Sequence, residues 1–202
     1  NLLLKSLAET LYMLSVSAII AALIGIPLGI LLVVTEKHGI LACPVLNKPL
    51  AFIINLIRSI PFIILMVAII PFTRLVAGTS IGTTAAIVPL TIAAIPYTAR
   101  MVETSIREIP FGLIEAAESM GASPLQIIWK VLIPEALPSI IESLTVVIVS
   151  LIGASAMAGT IGGGGLGDLA IRYGYQRFQA DVMIATIIVL VIIVQLLQFI
   201  GS

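Results

Sequence analysis

Charged side chains are scarce in this sequence: only 10% of the 202 residues are Asp, Glu, Lys or Arg, whereas 60% are hydrophobic. A water-soluble globular domain is usually about a quarter charged, so that class is excluded. The ten basic and ten acidic residues balance, and no strongly basic face is present to attract nucleic acid. The composition predicts a protein embedded in a lipid bilayer, without a nucleic-acid partner.

Residues and motifs that carry chemistry are also rare. The single Cys43 excludes an internal disulfide, and the single His38 has no neighbouring cluster of metal ligands. No GxxxxGK[ST] motif is present, so the chain lacks the phosphate-binding loop of P-loop ATPases. The GxGxxG match at Gly162, Gly164 and Gly167 ends an apolar run instead of following a strand, which argues against a dinucleotide site. We expect no catalytic residues, metal or cofactor in this chain, and any ATP would be hydrolysed by another subunit.

Long apolar runs make up most of the sequence. At 1.5 Å per helical residue, about 20 residues cross a hydrocarbon core of about 30 Å. Five runs qualify: about Leu11 to Val34, Leu50 to Ile70, Ile81 to Met101, Leu137 to Gly159 and Ala180 to Ile200. We predict an all-α, polytopic membrane protein with about five transmembrane helices, forming one domain over residues 1–202 with its ends on opposite sides.

Several residues inside these runs invite a structural or a functional interpretation. Gly25 and Gly29 form a GxxxG motif, which serves either to pack the chain's own helices or to form a dimer. Pro89 and Pro96 predict that the third span is bent or locally unwound, whereas Thr73 to Thr79 is expected to be a loop. Arg58 lies in the second span together with Pro61. It is either functional or simply snorkels or bonds the backbone that Pro61 frees.

An amphipathic segment separates the third and fourth spans. Its apolar residues recur at helical spacing, while Glu115 and Glu118 face elsewhere, and Gly121 interrupts the pattern. Ser123 at the N-cap, Pro124 next to it and Gln126 in third place predict a capping box that starts a second short helix. The apolar positions are Leu113, Ile114, Ala117 and Met120 in the first helix and Leu125, Ile128, Trp129 and Leu132 on one face of the second. We expect Pro134 and Pro138 to end that helix.

The spacing from Glu115-Ala116-Ala117 through Gly121 to Val131-Leu132-Ile133-Pro134 resembles the cytoplasmic EAA loop of permease subunits of bacterial ABC importers. Further stretches look like the methionine-importing branch of that family, and the likeness extends over nearly the whole chain. They are Arg58-Ser59-Ile60-Pro61-Phe62, Pro71-Phe72-Thr73-Arg74, Gly78-Thr79-Ser80-Ile81-Gly82 and Gly163-Gly164-Gly165-Leu166-Gly167.

The resemblance implies a permease that imports an amino acid, here methionine, across the bacterial inner membrane. It also implies a second copy of the chain, two cytoplasmic ATPase subunits that hold ATP and magnesium, and an external methionine-binding lipoprotein. The EAA loop would be the cytoplasmic coupling helix between spans three and four, which places the N-terminus outside and the C-terminus inside. The expected ATPase-docking residues are Glu115, Ala116, Ala117, Glu118, Met120, Gly121, Ser123, Pro124 and Pro134.

Two further expectations concern how a solute would pass. Ser155, Met157 and Gly159 lie near the end of the fourth span, where a flexible Met among small residues could close a narrow passage. The alternative is that Met157 is ordinary packing.

A secondary transporter or channel subunit without an ATPase is the alternative function, and it would call for intramembrane acids or an inverted repeat. A membrane scaffold that only assembles partners also stays open.

Overall fold

The computed structural model describes residues 2–201, and those residues form helices and no strand. This confirms the all-α prediction. The ten α-helices are α1 Leu2–Val34, α2 Pro44–Arg58, α3 Phe62–Ala68, α4 Ile70–Ala77, α5 Thr83–Arg107, α6 Phe111–Ser119, α7 Pro124–Ile127, α8 Ile133–Thr160, α9 Gly165–Leu169 and α10 Ala180–Gly201. Two π-helical segments, Ile128–Leu132 and Ala170–Tyr175, join α7 to α8 and extend α9.

Four helices within residues 2–201 are long and apolar enough to cross a membrane, and a bent pair of helices can supply a fifth span. The four are α1, α5, α10 and the continuous helix Pro124–Thr160. The bent pair is α2 with α3, whose axes differ by 101°. The prediction of about five spans is therefore confirmed, although the second span is not one straight helix.

The break in the second span follows from Pro61. Proline has no N–H to continue the helical ladder, and it disfavours the helical conformation in the residue before it. Accordingly, α2 ends at Arg58, and Pro61 occupies the N-cap of α3 with an extended ψ of 135°. The loop predicted from Thr73 to Thr79 is wrong over most of its length, because α4 starts with Pro71 in its first turn and continues to Ala77.

The third span also differs from the prediction. Helix α5 stays α-helical through Pro89 and Pro96 and continues beyond Met101 to Arg107. Local unwinding at the prolines is therefore wrong. Each proline removes one backbone donor, and neighbouring helices can satisfy the carbonyl that this leaves.

The fourth span begins much earlier than predicted. We expected Pro134 and Pro138 to end the helix of the EAA segment, but that helix is continuous to Thr160. The segment Ile128–Leu132 is π-helical, and the Ile133 N–H donates to the Ile128 carbonyl, five residues back. This widened turn lies directly before Pro134, where an ordinary α-turn would clash with the proline ring. The prolines are thus accommodated instead of ending the helix.

The chain divides into two compact units, which we call the docking unit and the loop unit. The docking unit comprises Ala22–Ser59 and Ile95–Leu144 and contains α6 and α7; the loop unit comprises Asn1–Ala21, Ile60–Ala94 and Thr145–Ser202 and contains α9 and α10. The core of the docking unit is a cluster of large apolar side chains: Val34, Val102, Ile106, Ala117, Ile127, Ile128, Leu132, Ala136 and Ile140.

Within the docking unit, the GxxxG motif packs α1 against α5. A Cβ on Gly25 would lie 2.6 Å from the Cβ of Thr98, and one on Gly29 would lie 2.6 Å from the carbonyl oxygen of Ala99. Both distances are too short for a real side chain, so only glycine permits this approach. Of the two interpretations, the structure supports packing within the chain.

Candidate docking and translocation sites

The docking segment, residues 111–134, is held to the docking unit by a few buried side chains. Ala117 on α6 is 5% exposed, and Ile127 and Leu132 are 1% and 2% exposed. Ile127 and Leu132 are five residues apart and share one core, which is the spacing of the π-turn between them. The predicted apolar face of the second helix is therefore only partly correct: Ile128 and Leu132 are buried, but Leu125 and Trp129 are exposed.

The predicted turn chemistry between the two short helices is confirmed. Gln126 N–H donates to the Ser123 hydroxyl oxygen, and Ser123 N–H donates to the Gln126 side-chain oxygen at 2.9 Å, which completes a capping box. Gly121 ends α6 with a φ of 79°, a conformation that glycine adopts readily and other residues at a cost. The Ala122 N–H then donates to the Ala117 carbonyl, so the chain reverses tightly.

The outer face of the docking segment combines acids with large apolar side chains. Glu115, Ala116 and Glu118 are exposed, and no described residue forms an ion pair with either carboxylate. Between residues 108 and 135, four glutamates accompany a single base, Lys130. The exposed apolar side chains are Phe111 at 62%, Leu125 at 65%, Trp129 at 67% and Met120 at 83%. An exposed apolar patch rimmed by polar groups is typical of a protein contact.

A buried carboxylate at the end of α5 was not predicted from the sequence. Glu103 is 6% exposed and forms ion pairs with Arg100 and Arg107. Arg107 also contacts Glu36 at 3.0 Å, and Arg100 donates to the Asn55 side-chain oxygen at 2.9 Å. This charge cluster ties α5 to α2 and to the turn after α1. Arg100, Glu103 and Arg107 are three and four residues apart, the spacing at which charged side chains meet on one face of a helix, and this spacing could have predicted the cluster.

Arg58 lies in a different environment from these arginines. It is the last residue of α2, directly before the break at Ser59 to Pro61, and its side chain is exposed. No hydrogen bond or ion pair links its guanidinium to another residue in the described part of the chain. Arg58 therefore does not bond the backbone near Pro61 in this conformation.

In the loop unit, the three predicted passage residues face different ways. Ser155 is buried, and its hydroxyl donates to the Ile152 carbonyl at 2.8 Å. Gly159 is also buried, and a Cβ there would overlap the backbone of Gly167. Met157 is 50% exposed. Of the three, only Met157 presents its side chain at the surface of the unit.

The glycine-rich stretch after α8 is packed rather than open. The Gly165 N–H donates to a Glu9 carboxylate oxygen at 2.9 Å, and the Leu166 N–H donates to the Thr10 hydroxyl at 2.8 Å. A Cβ on Gly167 would overlap the backbone of Ala156. The first turn of α9 is thus occupied by side chains of α1, which leaves the GxGxxG match no room to cradle a phosphate.

Long apolar helices define a multi-pass membrane protein, and the exposed docking segment is typical of a surface that contacts another protein. Residues 25–201 match the family described as "Binding-protein-dependent transport system inner membrane component", and the chain belongs to this family. The recognition of an importer permease is confirmed, as is an inner-membrane location. A transporter without such a system no longer fits.

Individual relatives and solved structures resemble the chain more closely than the family model does, and their names specify a substrate. The chain is 55% identical over 202 residues to a probable D-methionine transport system permease protein MetI from Vibrio cholerae, with 100% of this chain and 90% of the relative covered. The D-methionine transport system permease protein MetI of Escherichia coli K12 is 52% identical over 158 residues, which cover 78% of this chain and 73% of the relative. An inward-facing crystal structure of the MetNI methionine ABC transporter matches with a TM-score of 0.96 at 51% identity, covering 99% of this chain and 93% of that one.

Proposed function

We propose that this chain is the permease of an ATP-driven methionine importer and that its docking segment receives the motion of separate ATPase subunits. The observation that carries the proposal is the docking segment itself. Its inner face is anchored by Ala117, Ile127 and Leu132, while its outer face is acidic and apolar and has no partner among the described residues. The methionine relatives and the methionine transporter structure support the substrate.

The mechanism follows from this anchoring. When ATP closes the ATPase pair, the docking helices move as rigid bodies, and the permease switches between inward- and outward-facing states. The switch is limited by the difference in free energy with which the ATPase binds the two states. Because α7 continues through the π-turn into α8, motion at the docking surface reaches the fourth span without an intervening loop.

The full assembly contains two copies of this chain, two cytoplasmic ATPase subunits with ATP and magnesium, and an external methionine-binding lipoprotein. A second copy is needed because about five helices enclose a passage poorly. The docking segment lies in the cytoplasm, so the N-terminus is outside and the C-terminus inside. Residues 1–202 act as a single permease domain, since α1, α5 and α8 each contribute to both compact units.

Two residue sets complete the proposal. Met157, on the exposed side of α8, closes the passage against its symmetry mate by van der Waals contact, while Ser155 and Gly159 are buried against the chain's own backbone. Arg58 and Pro61 mark the break between α2 and α3. There Pro61 sets the bend, and the exposed Arg58 side chain reaches toward the polar headgroups.

The docking proposal is tested with Glu115→Lys and Gly121→Leu in the full complex, reconstituted in liposomes. Both variants should insert normally and lose methionine uptake, either because the ATPase no longer co-purifies or because ATP hydrolysis no longer drives uptake. Gly121→Asn is the matched control, since asparagine tolerates the positive φ and adds a smaller side chain. Full uptake by both test variants would show that the segment is only a solvated loop. Uptake assays with competing amino acids test methionine separately.

A further inference from the structure

The turn between α1 and α2, residues 35–43, is folded back over the end of α1. Leu41 N–H donates to the Val34 carbonyl, and Cys43 N–H donates to the Thr35 carbonyl, both at 2.9 Å. A Cβ on Gly39 would lie 2.5 Å from the Val34 carbonyl oxygen, so only glycine allows this close return. These backbone bonds give the turn a defined shape before any partner binds.

Two side chains, Asn47 and Glu36, fix the turn and the end of α1 to the helices beside them. Asn47 on α2 donates to the Leu32 carbonyl at 2.6 Å and to the Thr35 hydroxyl at 3.1 Å. On the other side, Glu36 forms its 3.0 Å ion pair with Arg107, the last residue of α5. Helix α6 begins at Phe111, shortly after Arg107, so this ion pair holds the turn close to the start of the docking helix.

An open cavity of about 340 Å³ lies between this turn and α6, entirely within the docking unit. Most of its lining residues are apolar, and three others, Glu36, Arg107 and Glu118, are charged. The lining residues are Val33, Val34, Glu36, His38, Gly39, Ile40, Arg107, Phe111, Ile114, Glu118 and Leu132.

The charges of the cavity favour a basic occupant. Arg107 is the one arginine or lysine in the lining, and it is already shared between Glu36 and Glu103. Glu118 has no ion-pair partner among residues 2–201. Long basic side chains have an apolar stem and a charged head, and this matches a cavity lined by apolar side chains and by a carboxylate without an ion-pair partner.

We propose that this cavity receives a lysine or arginine side chain of the ATPase subunit, so that the α1–α2 turn is a second wall of the docking surface. The stem contacts Phe111, Ile114 and Leu132, and the head binds Glu118 with Glu36 nearby. The inference rests on the proposed function, since it requires an ATPase at α6. It adds a part of the chain outside the EAA segment and the chemistry of the partner's contact.

The test uses a photo-cross-linking amino acid in the full complex, introduced at one of three positions. His38 probes the turn, Met120 probes α6, and Phe178, which is 90% exposed in the loop unit, is the control. We expect cross-links to the ATPase from His38 and Met120 but not from Phe178. Mass spectrometry should place the His38 product beside a lysine or arginine of the ATPase.

The other outcomes separate the two proposals. A cross-link from Met120 without one from His38 would contradict the role of the α1–α2 turn but not the role of the docking segment. If neither position cross-links to the ATPase, both proposals are wrong. Glu118→Lys should lower the yield from His38 at least about tenfold, because juxtaposed like charges cost several kcal/mol. Asp181→Lys, an exposed acid of the loop unit, is the matched charge control. An unchanged yield in Glu118→Lys rules out the basic occupant.

Discussion

The docking unit and the loop unit are stabilised in different ways. In the docking unit, large apolar side chains fill the core, and a buried carboxylate joins two arginines at its edge. In the loop unit, α8 and α9 approach until backbone touches backbone at Gly159 and Gly167. The docking unit has such close glycine contacts as well, at Gly25 and Gly29, but it also has the buried carboxylate that binds two arginines. We therefore expect it to be the more sensitive of the two units to changes in charge, and the loop unit to be sensitive to added volume between α8 and α9.

The largest expected effect on stability comes from removing the buried carboxylate of the docking unit. Glu103→Ala leaves Arg100 without its carboxylate and removes one of the two that bind Arg107. Because both arginines are partly exposed and can be solvated, the loss is that of hydrogen bonds to charged groups, each worth about 1.5–3 kcal/mol. The apparent melting temperature of the purified protein should fall markedly. Glu142→Ala, which removes an exposed carboxylate of the same unit, should change it little. Equal losses in both variants would show that the cluster does not stabilise the docking unit.

The volume side is tested by adding one methyl group. Gly167→Ala forces a Cβ into the backbone of Ala156, and overpacking of this kind typically costs about 1–3 kcal/mol. Gly153→Ala is the matched control, because a Cβ there meets nothing within 4 Å. Melting curves should show a loss for Gly167→Ala and none for Gly153→Ala. Similar curves for the two would contradict the close packing of α8 and α9.

The exposed side of α8 in the loop unit should matter for transport rather than for stability. Met157→Ala removes a side chain that is 50% exposed, so the folded protein should melt normally. If Met157 closes the passage, the resting complex becomes leaky, and liposomes loaded with methionine should lose it without ATP. Efflux at the wild-type level would mean that Met157 is ordinary packing.

The smallest effect is expected at Arg58. Its guanidinium has no bonded partner in the described residues, so Arg58→Lys keeps the charge and should transport nearly as well as the wild type. Arg100→Lys is the comparison, because Arg100 binds Asn55 and Glu103 with a fork that lysine cannot reproduce. Transport by Arg58→Lys below about a tenth of the wild type, a loss of more than about 1.4 kcal/mol, would show that Arg58 is functional.

Local rules predicted the parts of this structure that local forces decide. The capping box at Ser123 and Gln126, the turn at Gly121 and the apolar runs all depend on neighbouring residues, and the sequence alone indicated each of them. The break at Pro61 also has a local cause, but the sequence analysis placed this proline within the second span without predicting the bend.

Features that depend on distant residues could not be predicted in this way. The helix continues past Pro134 and Pro138 because a π-turn precedes them, and we found no sequence pattern that predicts this turn. Glu103 is buried between two arginines by tertiary contacts, which a reading of neighbouring residues does not reveal. Arg58 was placed inside the second span, and it lies at the bend of that span with its side chain exposed, a position that the sequence alone did not indicate.

The π-turn at Ile128–Leu132 sets the angular phase of the docking surface. One residue of a helix corresponds to about 100° of rotation and 1.5 Å of rise. Deleting one residue from this turn would restore a regular helix, but it would rotate α7 by roughly that angle about the axis of α8. The capping box would survive, yet Leu125 and Trp129 would point in new directions. The extra residue of the π-turn therefore determines which side chains of α7 face the partner.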